Sequence, residues 1–347
     1  MSLQALLGTE LPLIQAPMAG VQNHRLAAAV SNTGALGSLP CAMLDADGLR
    51  KELQALTGAT RKPYNLNFFC HTPPPVDNAR AITWREALSP YYAELDIDPA
   101  SIASGPGRLP FSAEMADLLD EFRPAVVSFH FGLPSTELLA RVKACGAKVL
   151  GSATTVEEAL WLQDNGADAI IAQGLEAGGH RGMFLSDELS SQLSTFALLP
   201  QIVQAVRLPV IAAGGIADAQ GVRAAMTLGA AGVQIGTAYL CCDEASTSAI
   251  HRAALHSPAA QHTALTNLFS GRPARGIVNR VMRELGPISP LAPAFPLATA
   301  AIAPLRAKAE SLGSGDFSPL WAGQNVSGCK PIGAAELTRE LAQGLTQ

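Results

Sequence analysis

The chain has 347 residues, of which 48% are hydrophobic and 15% charged, and its formal net charge is −5. This composition argues against a disordered chain, and the lack of any basic run longer than two residues argues against a nucleic-acid-binding protein. No apolar segment approaches the ~20 residues of a membrane-spanning helix. The first residues also lack the basic start and long apolar stretch of a signal peptide, so we predict a cytoplasmic protein.

Short apolar runs recur along the chain, and each is bounded by Gly, Pro or Asn, as is typical of strands buried on both faces. There are eight of them, at 13–17, 35–39, 65–69, 125–129, 148–152, 169–172, 209–213 and 232–236. Helical patterns occupy most of the gaps, at 24–32, 45–56, 112–122, 135–145, 155–165, 195–206 and 218–228. Eight strands alternating with helices predict an α/β fold of the (β/α)8 TIM barrel type. A doubly wound open sheet is the alternative, which the lack of GxGxxG and Walker A motifs disfavours.

Two stretches interrupt this alternation. Residues 71–110 are rich in Pro and Gly and longer than an ordinary connection, which indicates an excursion over one face of the barrel. Residues 241–300 follow the last predicted strand and have a helical pattern. We therefore predict a TIM barrel formed by 1–240 and 301–347, with 241–300 as a small helical cap that contributes to the substrate pocket. A C-terminal helix is expected around 334–345.

The segment 172–183, AQGLEAGGHRGM, opens directly after the sixth predicted strand. Its glycines allow a backbone to approach a flat ligand closely, and His180 is the side chain there that can exchange a proton near neutral pH. We predict His180 as the catalytic residue. Glu176 is expected to orient the loop, Arg181 is left without a role, and His71 and His130 are weaker catalytic candidates.

Glycine turns follow the seventh and eighth predicted strands, where barrel enzymes commonly bind phosphate. Gly214 and Gly215 belong to the first turn, and the sequence Gln234-Ile235-Gly236-Thr237 forms the second. Free backbone N–H groups and a helix N-terminus would cradle a phosphate without a lysine. The alternative is that these glycines only make tight turns.

Three further side chains lie at predicted strand ends. Met18 offers a soft apolar surface to a ring, and the amides of Asn67 and Gln173 suit the edge of a pyrimidine. A structural hydrogen-bonding role is the alternative for Asn67.

No metal site is predicted, because His251, His256 and His262 lack a matching carboxylate or cysteine set. The six cysteines form no CxxC motif, which predicts reduced thiols, and the adjacent Cys241 and Cys242 are expected to be apolar fillers.

The chain resembles the nitronate monooxygenase family, formerly called 2-nitropropane dioxygenases. The resemblance is carried by LIQAPM at 13–18, NLNFF at 65–69, QGLEAGGHRG at 173–182, AGGI at 213–216, QIGT at 234–237 and GRPARG at 271–276. It implies bound FMN and oxidation of alkyl nitronates such as propionate 3-nitronate by O2, giving a carbonyl compound plus nitrite or related nitrogen oxides. It also implies that His180 faces the flavin and contacts the substrate. The expected FMN contacts are Met18, Asn67, Gln173, Gly178, Gly179, Gly214, Gly215, Gln234, Ile235, Gly236 and Thr237.

The chain departs from this resemblance in the segment 294–306, where some family members carry tyrosines and a lysine. Here Phe295 replaces a phenol and no lysine occurs, so the substrate pocket differs, and Trp321 is a candidate for one of its walls. One alternative function is an NAD(P)H-dependent quinone or enoyl-thioester reductase of the same superfamily. Another is a barrel that binds a phosphate ligand without redox chemistry. The sequence leaves open whether the protein is a monomer or a homodimer.

Overall fold

A closed barrel of parallel strands forms the centre of the molecule. The computed structural model describes residues 2–75, 77–102 and 108–345. Strands and helices are each numbered in chain order. The short strand β7 (Gly179–His180) is not part of the barrel sheet. The barrel strands are β1 (Leu13–Gln15), β2 (Gly37–Pro40), β3 (Tyr64–Phe69), β4 (Val126–His130), β5 (Lys148–Ala153), β6 (Ala169–Gln173), β8 (Val210–Ala213) and β9 (Gly232–Ile235).

These eight strands pair in the order β1-β9-β8-β6-β5-β4-β3-β2. A parallel bridge between Ile14 and Leu36 joins the two ends of this sheet. The predicted (β/α)8 barrel is therefore confirmed.

Most helices begin at a polar side chain that caps their first turn, for example Asp45, Thr155 and Asp218. The helices are α1 (Leu3–Leu7), α2 (His24–Ser31), α3 (Ala46–Ala59), α4 (Asn78–Glu94), α5 (Ala113–Phe122), α6 (Thr136–Ala144), α7 (Val156–Asp164), α8 (Thr195–Ala205), α9 (Ala219–Thr227), α10 (Ala249–Leu255), α11 (Arg280–Glu284), α12 (Thr299–Ser311) and α13 (Ala334–Ala342). None of the helices among the described residues is long and apolar enough to cross a membrane.

Apolar side chains fill the barrel interior, as the continuous hydrophobic runs of the strands require. Leu3 of α1 lies against the start of β9, so α1 covers the amino-terminal end of the barrel. The interior cluster includes Leu3, Leu7, Ile14, Leu150, Ile171 and Ile211. The amino-terminal end is thus closed, which leaves the carboxyl ends of the strands for a site.

The excursion predicted at 71–110 contains the helix α4, which the sequence did not predict; positions 76 and 103–107 lie outside the described residues. The apolar residues of α4 are spread around the helix, and Pro90 lies inside it, so no single-faced pattern was visible. Trp84 Nε1 donates to the carbonyl of Ala298 at 3.3 Å, and the Tyr92 hydroxyl donates to that of Ala301 at 2.6 Å. These bonds hold α4 against α12.

The prediction that 241–300 is helical was only partly correct. Between α10 and α11 the chain forms an antiparallel hairpin of β10 (Thr263–Thr266) and β11 (Ala274–Ile277). The other edge of β11 pairs with β7, placing Ala274 opposite His180. This pairing joins segments far apart in sequence, so local periodicity could not reveal it. The helix α12 spans residue 300, the predicted boundary between cap and barrel. The division of the chain into these two domains stays a prediction.

Candidate active site

A cavity opens at the carboxyl ends of the barrel strands, and Trp321, Gly323 and Asn325 of a distant segment line one side of it. Eleven of the twelve predicted site residues line it: Met18, Asn67, Gln173, Gly178, Gly179, His180, Gly214, Gly215, Gln234, Gly236 and Thr237.

Ile235 is the predicted site residue that the structure places elsewhere. Its side chain is buried in the core between the sheet and the outer helices. Successive residues of a strand point to opposite faces, so Gln234 on the cavity side puts Ile235 on the other side.

Gln173 holds the glycine loop in place. Its Nε2 donates to the carbonyl of His180 at 3.0 Å, and its Oε1 accepts from the N–H of Gly182 at 2.7 Å. His130 Nε2 also lies 3.1 Å from the His180 carbonyl. The Gln173 amide therefore uses its acceptor and a donor on the loop, a structural role that the sequence did not predict.

Two charged residues of the same loop are structural. Arg181 is fully buried and donates to the carbonyls of Gln173 and Gly174 at 2.7 and 2.6 Å. Glu176 Oε2 accepts from the N–H and hydroxyl of Thr195 at 2.7 and 2.9 Å. Glu176 thus ties the loop to the first turn of α8, in agreement with the expected orienting role.

The ring of His180 is held by one hydroxyl and enclosed by aromatic rings. Its Nε2 lies 2.8 Å from Ser270 Oγ. The ring centroids of Phe295 and Trp321 lie 5.4 and 5.7 Å from that of His180, and Phe69 and Phe131 are at 6.1 Å. Burial, followed by the charge of Arg108, keeps the pKa of His180 well below its ordinary value. The imidazole is therefore neutral at physiological pH.

The other two histidine candidates differ in position. His130 lines the cavity, and burial lowers its pKa to about 4. His71 is buried beside the cavity with its ring edge-on to Phe295 at 4.8 Å. His180 therefore stays the main catalytic candidate, since its ring both lines the cavity and contacts the four aromatic rings.

The three histidines of the 251–262 segment point to different partners. His251 Nε2 lies 3.1 Å from the carbonyl of Trp321, and His256 Nε2 lies 3.5 Å from Cys241 Sγ. His262 is exposed. Over the described parts of the chain no group of three potential metal ligands occurs. Cys241 and Cys242 are both buried. Cys242 fits the expected filler, whereas the hydrogen bond with Cys329 and the neighbouring His256 lower the pKa of Cys241 to about 6.

Two glycine turns form an open cradle at the other end of the cavity. Gly214 and Gly215 have φ of 117° and 73°, a region that disfavours other residues. A β-carbon on Gly215 would lie 3.3 Å from Glu176 Cβ. Among the described residues, no backbone acceptor receives the N–H of Gly215, Gly236 or Thr237. Such N–H groups suit an anion.

Two further predicted side chains, Asn67 and Gln234, line the same cavity. Asn67 Nδ2 donates to Ser128 Oγ at 2.9 Å, which fixes its amide. Gln234 Oε1 is buried and has no hydrogen-bond partner. Because an unpaired buried acceptor is costly, Gln234 calls for an N–H donor on a ligand.

Sequence reasoning missed several cavity residues that come from distant segments. Asn325 Nδ2 donates to the carbonyl of Gly215 at 3.1 Å, and the N–H of Gly323 donates to Thr237 Oγ1 at 2.9 Å. Arg108 lines the cavity from the end of the excursion. No local motif marks these residues; the lack of a tyrosine or lysine in 294–306 was the one hint that other polar residues serve the pocket.

Comparison with known proteins decides the family. The family model described as nitronate monooxygenase matches residues 1–344. The chain belongs to the nitronate monooxygenase family. It is 43% identical to the nitronate monooxygenase of Pseudomonas aeruginosa over 98% of this chain and 97% of that protein. It is also 43% identical to that of Paraburkholderia phytofirmans, over 100% and 95% of the two chains.

The chain is also similar to solved structures. A nitroalkane oxidase from Streptomyces ansochromogenes is similar with a TM-score of 0.90 and 37% identity, covering 99% of both chains. FabK from Thermotoga maritima has a TM-score of 0.73 and 25% identity, covering 99% of this chain and 96% of that one. The protein is therefore an oxidoreductase of this family that acts on small molecules.

Proposed function

We propose that this enzyme binds FMN and oxidises alkyl nitronates, propionate 3-nitronate among them, with O2 as the electron acceptor. The products are a carbonyl compound and nitrite or related nitrogen oxides. One observation carries the proposal: the neutral imidazole of His180 lies on the wall of the same cavity as the open cradle at Gly215 and Gly236.

The residues present fit FMN. The unpaired Gln234 Oε1 matches the imide N–H of a flavin ring, and the free N–H groups of Gly215, Gly236 and Thr237 match its phosphate. Gly178 has no room for a β-carbon, which would lie 2.6 Å from the backbone of Ala322. When bound, FMN supplies the capacity to accept electrons from the substrate and pass them to O2.

His180 handles the substrate in this proposal. Ser270 occupies Nε2, so Nδ1 is the ring atom left for the substrate. A hydroxyl can pair with either tautomer of the imidazole. Nδ1 can therefore donate to a nitronate oxygen, or accept the α-proton of a neutral nitroalkane. The aromatic rings around His180 exclude water and keep the imidazole neutral, which a base requires.

The test combines spectra with substitution of His180. The purified protein is expected to show a flavin spectrum that bleaches without O2 on mixing with a nitronate and does not bleach with NADH. We predict that His180→Asn keeps the flavin and lowers nitronate turnover by about 10²-fold or more, the scale of a lost acid–base group. Oxygen uptake gives the rate, and His262→Asn, at an exposed histidine, is the matched control.

Each of the other outcomes would support a different function for this protein. Rapid bleaching by NADH would support the reductase alternative. A colourless protein with an intact fold would support a phosphate-binding barrel without redox chemistry. Unchanged nitronate turnover in His180→Asn would remove this residue from the mechanism.

A further inference from the structure

Arg108 is a cation on the cavity wall, and no anionic side chain of the described residues pairs with it. It makes no ion pair within the described residues, and its side-chain hydrogen bond there is a long one, 3.5 Å from Nη1 to Thr299 Oγ1. Its guanidinium carbon lies 5.9 Å from the ring centroid of Phe295. The charge that acts on it most strongly is that of another cation, Arg306. A partly buried guanidinium without an anionic partner among the described residues is costly, so the cavity is suited to receive an anion at this point.

The position of Arg108 separates it from the phosphate cradle. The ring of Phe295 lies next to both Arg108 and His180, at 5.9 Å from the guanidinium carbon and 5.4 Å from the imidazole centroid. The cradle instead follows β8 and β9, where Asn325 Nδ2 donates to the carbonyl of Gly215. Arg108 therefore faces the substrate side of the cavity.

The segment beside Arg108 lacks the polar side chains that some family members carry there. The segment 294–306 has neither tyrosine nor lysine, and Phe295 and Thr299 stand beside Arg108. A planar guanidinium binds a carboxylate through two parallel N–H groups, which fixes the orientation of the carboxylate as well as its charge.

We propose that Arg108 binds a carboxylate at the far end of the substrate and so makes the enzyme selective for nitronates that carry a second negative charge. This inference rests on the proposed function. In it, His180 contacts the nitronate end of the substrate and Arg108 the acidic end.

Binding of inert analogues tests the proposal without turnover. Succinate has the chain length of propionate 3-nitronate with a carboxylate in place of the nitronate, and butyrate lacks one of the two charges. Calorimetric titration of the holoenzyme is expected to show succinate binding about 10- to 100-fold more tightly than butyrate, the range for a buried charge-assisted pair. Arg108→Met should remove most of this difference. Arg61→Met is the matched control, because Arg61 is exposed and does not line the cavity, and this variant should keep the difference.

Turnover gives the second measurement. The ratio of kcat/KM for propionate 3-nitronate to that for butyl 1-nitronate is expected to fall about 10- to 100-fold in Arg108→Met. Arg108→Lys keeps the charge but not the two parallel N–H groups, so its ratio should lie between those of the wild type and Arg108→Met. It provides the test if Arg108→Met does not fold.

Two results would overturn the role of Arg108: equal binding of succinate and butyrate by the wild type, or an equal loss of kcat/KM for both nitronates in Arg108→Met. If the wild type oxidises no nitronate, the proposed function fails separately, and the succinate titration still decides whether Arg108 binds a carboxylate.

Discussion

At the scale of single residues, Ser270 decides which nitrogen of His180 is available. The hydroxyl lies 2.8 Å from Nε2 and 3.4 Å from the carbonyl of Arg272. Ser270 is fully buried, so water does not compete for this bond. The imidazole is therefore held in one orientation while either tautomer stays accessible.

We predict that Ser270→Ala lowers kcat for nitronates by about tenfold, because Nε2 loses its partner and the ring loses its fixed orientation. Flavin content should not change. Steady-state oxygen uptake measures the effect, and Ser270→Thr, which keeps the hydroxyl, should recover most of the rate. Equal kinetics in the alanine variant and the wild type would show that packing alone orients His180.

At the scale of elements, the turn after β8 depends on the backbone conformation of its glycines. Gly215 combines a positive φ with a close neighbour, since its β-carbon would lie 3.3 Å from that of Glu176. The exposed Gly146 has a similar φ of 88°, but a β-carbon added there would meet no atom within 4 Å. The two positions therefore separate backbone strain from crowding at the cradle.

We predict that Gly215→Ala and Gly146→Ala each cost about 1–2 kcal/mol of stability, the penalty for a left-handed alanine. Gly215→Ala alone should weaken flavin binding, by about tenfold, because the added carbon crowds the cradle. Thermal unfolding and the flavin-to-protein ratio after dialysis measure the two effects. Full flavin retention in Gly215→Ala would place the phosphate elsewhere.

At the scale of the whole molecule, neutral histidines are buried in different elements. Burial lowers the pKa of His130 and of His251 to about 4. Unfolding returns each to about 6.5, so below that pH the unfolded chain binds more protons than the folded one. Stability therefore rises with pH between about 4 and 6.5, and acid destabilises the fold.

His251→Gln isolates one of these contributions. Glutamine keeps an N–H for the carbonyl of Trp321 but does not titrate. At pH 5 the wild type is expected to lose about 2 kcal/mol through His251, relative to pH 8, which the variant does not lose. Denaturant unfolding at both pH values measures this, with the exposed His262→Gln as the control. A parallel pH dependence in His251→Gln and the wild type would contradict the prediction.

The sequence by itself determined the barrel and the two glycine features of the site. Strands buried on both faces require continuous apolar runs, and a backbone that approaches a ligand requires glycine, so both requirements are written locally. That is why the barrel strands were found within a few residues and why His180, Gly215 and Gly236 line one cavity.

Tertiary structure alone decided the substrate side of the cavity. The pairing of β11 with β7, the bond from Ser270 to His180 and the place of Arg108 join segments that lie far apart in the chain. Helix α4 was missed because its apolar residues cover all sides and pack between separate segments. Such contacts depend on the path of the folded chain, and no local pattern records them.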